Sequence, residues 1–490
     1  MFQLRPYQDD GVGEIRNSYI EGYEAPLYIL PTGGGKTVIF NFVARNSASK
    51  SKRVLILMHR VELIRQTIKK LQEDGIIPGV INPKFTPNPL APIQVGSVQT
   101  IWRRTERMQP PDLIIIDEAH HATASTYTKI IEAFPNAKIL GVTATPERTD
   151  GTGLGVNAGG HFDTMIMGPQ IYELIQEGYL VQPKHYMPSN SIDFSSFHHR
   201  MGDFVKSELE DAFDKPHITG DAVSHYRKLA YGKPAVAFCV SISHAEHVAK
   251  EFRNAGYRSW SVDGKTDERK RQWLINGLGN GKVDVLTSCD LIGEGVDIPS
   301  IFACINLRPT ESLSLYIQQG GRALRPIYAP GYDLSTKEGR LASIAASEKP
   351  HAIILDHAGN ALRHGLLDEH RPWTLDGKKK SSYSGASKEG ENVRVLQCEK
   401  CYNVHKPLPF CPACGHKYAI QSREVEVKEG TLKEISEQEK VALKRQRMKE
   451  QGQANSYDAL AELGKKRGYK PGWAKHIAKA RGYDVPKKTK

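Results

Sequence analysis

The most chemically informative stretch of the chain combines three consecutive glycines with a lysine and a threonine. It consists of Pro31, Thr32, Gly33, Gly34, Gly35, Lys36 and Thr37, and it follows the apolar run 27–30. Because glycine has no Cβ, backbone N–H groups can close around phosphate oxygens there, and a following helix adds the positive end of its dipole. We expect Lys36 to reach the β- and γ-phosphates and Thr37 to bind Mg²⁺. The stretch predicts a nucleotide site of a variant kind, because Leu30 replaces a glycine of the general pattern.

Two adjacent carboxylates follow a second apolar run. Asp117 and Glu118 come directly after residues 113–116, which are suited to a buried parallel strand, and so lie where open α/β sheets bind ligands. Asp117 can hold hydrated Mg²⁺, and Glu118 can orient and deprotonate an attacking water. Either stretch alone could be a glycine turn or an acidic helix start. Together they predict ATP hydrolysis.

The length and composition of the chain limit its class. Its 490 residues are enough for two or three domains, and no apolar run approaches the length of a membrane span. The first residues lack the apolar core of a signal peptide. We therefore expect a cytoplasmic protein.

The positive charge is concentrated in the last quarter of the chain. The net charge is +12, and residues 371–490 contain 27 Lys+Arg against 14 Asp+Glu, whereas residues 1–370 contain 40 against 41. A basic appendage on a neutral body favours contact with a polyanion such as nucleic acid. The alternative is a solvated tail that binds nothing.

Four of the seven cysteines form two Cys-x-x-Cys pairs separated by nine residues. In a chain without a secretion signal, this spacing indicates a tetrahedral zinc site rather than disulfides. Four thiolates leave no coordination position open, so the predicted role of Zn²⁺ is structural. The expected ligands are Cys398, Cys401, Cys411 and Cys414.

Apolar runs alternate with helical segments twice along the chain, which predicts two parallel, doubly wound sheets. Only the first series contains a glycine–lysine loop, so we expect two similar domains that share one ATP site. The predicted order is a first domain at 1–182, a second at 183–370, a basic linker at 371–392, a zinc ribbon at 393–420 and a basic helical tail at 421–490.

Ordered motifs over roughly the first 360 residues resemble those of superfamily 2 helicases and translocases, which implies two RecA-like domains. Residues 31–37 resemble motif I, Asp117 to His120 a DEAH-type motif II, Thr143 to Thr145 motif III, and residues 318–325 motif VI. Residues 59–63, 308–312 and 355–360, together with a zinc module behind the motor, resemble RadD-type DNA-repair helicases and their phage relatives. That resemblance implies a bacterial or phage-infected cell as the setting.

The resemblance also implies residue roles at the nucleotide. Arg5 and Gln8 would read adenine, Arg322 and Arg325 would reach the γ-phosphate from the second domain, and Gln318 would line the same cleft. Two further sets follow from matching motifs. His120, Thr143 and Thr145 would couple hydrolysis to movement, and motif V would place Gly295 and Asp297 at the nucleotide.

Contacts to a nucleic-acid backbone are implied for Arg60, Gln99, Thr100 and Thr287, with Cys289 as the alternative to Thr287. The resulting expectation is an ATP- and Mg²⁺-dependent motor that acts on nucleic acid, with DNA favoured over RNA. Three alternatives stay open: a fork remodeller that does not separate strands, an RNA helicase, and a binding scaffold that uses ATP only as a switch.

Overall fold

The computed structural model describes most of the chain in two compact units, Met1–Ala419 and Ile420–Lys490. The described residues are 4–148, 151–188, 198–200, 203–204, 208–209, 216–289, 301–377, 395–418, 450, 453–454, 456–466, 472–481 and 483. Gly295, Asp297 and most of the predicted linker lie outside them.

A parallel sheet of seven strands forms the first half of the larger unit. Its strands are β1 (Pro26–Ile29), β2 (Val54–Met58), β3 (Gly79–Ile81), β4 (Ile93–Ser97), β5 (Leu113–Asp117), β6 (Lys138–Thr143) and β7 (Thr164–Met167). Their spatial order is β3-β4-β2-β5-β6-β1-β7. The helices of this half are α1 (Pro6–Ile20), α2 (Lys36–Ser49), α3 (Val61–Glu73), α4 (Val98–Ile101), α5 (Ser125–Ala133) and α6 (Ile171–Gln176).

A sheet of eight strands forms the second half, and a two-stranded ladder of β9 (His199–Arg200) and β10 (Asp203–Phe204) lies apart from it. The eight strands are β8 (Pro183–Tyr186), β11 (Ala235–Phe238), β12 (Ser259–Val262), β13 (Val285–Ser288), β14 (Ala303–Asn306), β15 (Ala352–Asp356), β16 (Leu396–Gln397) and β17 (Asn403–His405). Their order is β12-β13-β11-β14-β15-β8-β17-β16. The helices here are α7 (Pro216–Leu229), α8 (Ile242–Asn254), α9 (Glu268–Gly279), α10 (Leu313–Gly321), α11 (Lys337–Ala346) and α12 (Asn360–His364).

The central strands of both sheets are buried on both faces, which explains why they appear in the sequence as unbroken apolar runs. All residues of β2, β5, β11 and β15 are buried. Helices cover each sheet on its two sides, so each sheet carries two apolar core clusters. The predicted fold of two doubly wound parallel sheets is confirmed.

The region expected to be a linker begins with a segment that packs against the first half of the molecule. The backbone N–H groups of Leu154 and Gly155 both donate to the Leu375 carbonyl at 3.0 Å, and Trp373 lies against apolar clusters of both halves. A Cβ on Gly153 would lie 2.2 Å from that carbonyl oxygen, so the close approach requires glycine. Residues 371–377, the strap, therefore return the chain from the second half to the first.

Residues 395–418, the cysteine module, extend the second sheet rather than forming a separate small domain. β17 pairs antiparallel with β8, and β16 pairs with β17. Val395 and Val404 share an apolar cluster with Met187 and Leu366. This pairing could not be predicted from the sequence, because it joins strands more than 200 residues apart in the chain.

The smaller unit contains α13 (Tyr457–Lys466) and α14 (Gly472–Ala480), which pack through Leu460, Ala474 and Ala478. Within the predicted basic helical tail, residues 421–449 lie outside the described residues. Among the helices that the structure describes, none is long and apolar enough to cross a membrane.

Candidate active site

The glycine loop connects the buried strand β1 to α2, as the sequence predicts. Gly33 and Gly35 have left-handed backbone angles, with φ of +89° and +92°, which residues with a Cβ rarely adopt. A Cβ on Gly34 would lie 2.7 Å from the Leu30 side chain. Lys36 and Thr37 open α2, so their side chains start at the positive end of its dipole. These features fit a cradle for phosphate oxygens.

Residues from the start of α1 support the loop from behind. The Gln8 amide donates to the Gly34 carbonyl at 3.0 Å, and the Tyr7 hydroxyl donates to the same oxygen at 2.7 Å. The Arg5 guanidinium donates to the Tyr7 hydroxyl at 3.2 Å and stacks over the Tyr179 ring. Arg5 and Gln8 thus border the loop. Tyr7, which lies between these two residues in the sequence, was not among the predicted site residues.

The carboxylate pair lies at the carboxyl end of β5. Asp117 is buried, and this burial, followed by the charge of Glu118, raises its pKa to about 7, while Lys36 acts in the opposite direction. A dication at this place would favour the charged carboxylate, so the donor set fits Mg²⁺. Glu118 has a left-handed backbone with φ of +50° and lies 3.5 Å from the His120 imidazole. Such a conformation persists only where the surrounding structure holds it.

A chain of polar contacts connects the carboxylates to the second half. The His120 ring contacts the Thr143 hydroxyl at 3.0 Å, and that hydroxyl donates to the Thr145 carbonyl at 3.0 Å. The Thr145 hydroxyl then meets the Ser314 hydroxyl of α10 at 2.5 Å. The residues predicted for coupling are therefore adjacent to one another and reach across the cleft. Ser314, which completes the path, follows an ordinary helix start and was not predicted.

The helix α10 and the turn after it close the other side of the cleft. The Gln318 amide donates to Glu118 at 3.4 Å. A Cβ on Gly321 would lie 3.0 Å from the Thr32 Cβ, and one on Gly33 would lie 3.6 Å from the Arg325 Cγ. Arg322 is buried in the same segment, and burial lowers the pKa of Arg325. The structure thus brings the segment of both arginines against the glycine loop.

Residues predicted to contact nucleic acid fall into two groups. Arg60 precedes α3 and Gln99 and Thr100 lie in α4, all at least partly accessible at the carboxyl ends of β2 and β4. Thr287, in contrast, is fully buried in β13, and its hydroxyl donates to the Ala245 carbonyl at 2.6 Å. The prediction for Thr287 is therefore wrong, because its side chain points into the core.

The four cysteines of the C-terminal module converge as predicted. Their sulfur atoms all lie within 4.8 Å of one another, with Cys398 and Cys414 at 3.6 Å and Cys401 and Cys411 at 3.6 Å. A tetrahedron with Zn–S bonds of about 2.3 Å has sulfur atoms about 3.8 Å apart. The donor set and its spacing fit Zn²⁺.

Two protein-family models match the chain, one in each half. The type III restriction enzyme, res subunit, matches residues 1–148, which contain the glycine loop and both carboxylates. The helicase conserved C-terminal domain matches residues 214–326, which contain Gln318, Arg322 and Arg325.

Known proteins resemble the chain over the same region and beyond it. A 51.5 kDa protein of Lactococcus phage (isolate 7-9) is 32% identical over 84% of this chain and 83% of its own length. IRC3 of Saccharomyces cerevisiae, which is named as a proposed ATP-dependent helicase, is 31% identical over 66% of this chain. The matched region covers only 49% of the length of the yeast protein. A fragment assigned to the HsdR subunit of a Vibrio vulnificus type I restriction enzyme has a TM-score of 0.55 at 20% identity, covering 73% of this chain and 65% of that one. This last likeness shows the shared fold.

Proposed function

We propose that this chain, which belongs to superfamily 2 of the helicases and translocases, uses ATP hydrolysis to move along DNA. The observation that carries the proposal is the contact across the cleft between Gln318 and Glu118. It sets a helix of the second half beside the carboxylate that is suited to activate water, while the segment of Arg322 and Arg325 borders the glycine loop. One nucleotide site is thereby built from both halves.

Hydrolysis then divides among residues of the two halves. Lys36 and the loop N–H groups hold the phosphates, and Glu118 orients the attacking water and accepts its proton. Asp117 and Thr37 would hold Mg²⁺, which would supply positive charge to offset the charge of the phosphates. Arg322 and Arg325 stabilise the charge of the transition state only when the halves meet. Hydrolysis is in this way tied to domain closure.

The path from His120 through Thr143 and Thr145 to Ser314 is the proposed coupling route. It joins the surroundings of Glu118 to α10, so a change at the γ-phosphate can alter how the halves meet. Arg60, Gln99 and Thr100 would grip a nucleic-acid backbone at the carboxyl edge of the first sheet. Cyclic closing and opening then moves one grip relative to the other.

We infer DNA as the preferred substrate and a RadD-type role in DNA repair as the closest assignment. Support comes from the family model for the first half, which is named for a restriction enzyme subunit, and from residues 59–63, 308–312 and 355–360, which resemble RadD-type helicases. The basic C-terminal part would add phosphate contacts, with a marked salt dependence. The four-cysteine module is proposed to hold one structural Zn²⁺.

The test compares ATP hydrolysis by the purified chain with single-stranded, duplex and forked DNA and with single-stranded RNA. Glu118→Gln is expected to lower the stimulated kcat by about 10²- to 10⁴-fold and to leave ATP binding in place, because the amide cannot accept the proton of water. The matched control is Glu132→Gln, which changes an exposed carboxylate on α5 and should hydrolyse ATP like the parent.

The outcomes separate the remaining alternatives. Unchanged hydrolysis by Glu118→Gln would refute the motor mechanism. Equal or greater stimulation by RNA would refute the DNA preference. Stimulation by forked DNA without strand separation would assign the chain as a remodeller rather than a helicase.

A further inference from the structure

One buried lysine touches the cleft segment and has no place in the mechanism above. Lys349 lies two residues after Ser347, just before β15, and its side chain has no exposed surface. Its Nζ donates to the backbone carbonyl of Arg325 at 2.6 Å. Lysine is rarely fully buried in proteins, so this position calls for a physical reason.

The contact fixes the peptide from which the Arg325 side chain projects. On the preceding residue, the Leu324 carbonyl accepts a hydrogen bond from the Val181 N–H at 2.8 Å. Two successive carbonyls of this segment are thus held, one by the chain between the halves and the other by Lys349. The Arg325 Cγ lies on the side of the glycine loop. Because two bonded carbonyls restrict rotation of the backbone, the direction of the Arg325 side chain is restricted as well.

We propose that Lys349 is a positioning residue for ATP hydrolysis, which holds the Arg325 backbone so that its guanidinium meets the γ-phosphate when the halves close. The role rests on the hydrolase mechanism proposed above and adds a residue to it. Lys349 does not touch the nucleotide in this arrangement. It acts through the main chain of the arginine.

The electrostatics of the site argue against a role in stability. Burial, and next the charge of Arg325, lower the pKa of Lys349 to about 7, so its protonated form is disfavoured in the folded protein. A methionine would fill much of the same space without this cost. If Lys349 served only the stability of the fold, replacing it with methionine would raise stability and leave activity unchanged. If it orients Arg325, the same replacement would lower the rate of hydrolysis.

The test uses the full chain and measures kcat and KM for ATP, first without nucleic acid and then with saturating single-stranded DNA. Lys349→Met is expected to lower kcat about ten- to a hundredfold, because the guanidinium is misplaced in the transition state. The KM for ATP should stay within about twofold, since the glycine loop binds the phosphates. The thermal midpoint should be equal to or higher than that of the parent.

Two further variants make the outcome decisive. Lys349→Gln keeps a donor amide and should recover part of kcat. Ser343→Ala removes another buried hydrogen bond near this position, from the Ser343 hydroxyl to the Ala329 carbonyl at 2.9 Å, and should leave kcat unchanged. Parent-like kcat in folded Lys349→Met would overturn the proposal, and so would a lower thermal midpoint with the same kcat per folded molecule. Should Lys349→Met fail to fold, parent-like kcat per folded molecule in Lys349→Leu, which also lacks a donor, would equally overturn it. A parent with no ATP hydrolysis would instead refute the proposed function itself.

Discussion

Charged side chains with unfavourable surroundings collect at the cleft. Burial raises the pKa of Asp117 and lowers the pKa of Arg325 and Lys349. Each of these groups costs folding free energy, and each lies at or beside the proposed place of a magnesium nucleotide, whose charges are of the opposite kind. The arrangement therefore favours a bound anion next to the arginine and a bound cation next to the aspartate. Such preorganised charge is what stabilises a phosphoryl-transfer transition state.

Lys349→Met should also change how stability depends on pH. The pKa of Lys349 is about 7 in the folded protein and 10.5 as its ordinary value, so between these values the unfolded chain binds more protons. The free energy of unfolding of the parent then rises with pH by about 1.4 kcal/mol per unit from this group, and the slope vanishes below about pH 7. Methionine binds no proton. We expect the variant to exceed the parent in stability at about pH 7 and the difference to shrink towards about pH 10.

Urea denaturation of both proteins across this pH range measures that difference directly. Subtracting the two curves removes the contributions of all other titratable groups, provided that both proteins unfold with the same slope in urea. A stability difference that stays constant with pH would contradict the shifted lysine. The Ser343→Ala variant serves as the control, since its difference from the parent involves no titrating group.

Residue types and spacing predict where the proposed nucleotide-binding residues lie in the fold, because phosphate binding requires particular residues in one short segment. Lys36 opens α2, and Asp117 ends β5 with Glu118 directly after it, as their motifs predict. Lys349 and Ser314 could not be found in this way, because each acts through a contact with a residue far along the chain. Thr287 failed for a related reason: its position in a motif says nothing about which face of β13 it occupies.

At the scale of elements, two additions extend the pair of sheets. The strap crosses from the second half back to the first, and the cysteine hairpin adds β16 and β17 to the edge of β8. The two sheets were predictable because doubly buried strands are continuous apolar runs. The strap and the hairpin were not predictable. A short polar strand and a seven-residue segment contain no hydrophobic periodicity from which their packing partners could be inferred.

Removing zinc should unpair the edge of the second sheet. If the metal holds the hairpin, Cys411→Ser should lose stoichiometric Zn²⁺ and expose the backbone of β8, since β17 covers its edge. Hydrogen exchange of residues 184–187 should then rise at least about tenfold, while ATP binding at the glycine loop persists.

The control for that experiment is Cys289→Ser, which changes a cysteine outside the cluster and should keep both the metal and the slow exchange. Metal analysis that finds no zinc in the purified parent would contradict the assignment. If the parent contains zinc and the Cys411→Ser variant loses it without a change in hydrogen exchange at β8, strand pairing alone holds the hairpin.

At the scale of the whole molecule, charge and structure divide the chain at different places. The sequence predicted a basic part from residue 371 onward, but the strap and the hairpin, at 371–377 and 395–418, belong to the larger unit. The sequence alone could not reveal this division, because composition changes before the packing does. A cut that spares the motor must follow residue 419.

A chain that ends at residue 419 should keep ATP hydrolysis and lose affinity for DNA. Residues 420–490 contain 18 Lys+Arg against 10 Asp+Glu, and they form a compact unit of their own. Their removal is expected to weaken binding of single-stranded DNA at least about tenfold at moderate salt and to flatten the plot of log affinity against log salt, because fewer counterions are released.

The comparison variant is full-length Arg60→Ala, which removes one proposed contact to nucleic acid from the first half but keeps the tail. It should lower DNA-stimulated hydrolysis more than affinity, whereas the truncation should do the reverse. Equal affinity and equal salt dependence of the two chain lengths would place nucleic-acid binding in the two sheets alone, with the basic residues of the tail serving as solvated surface.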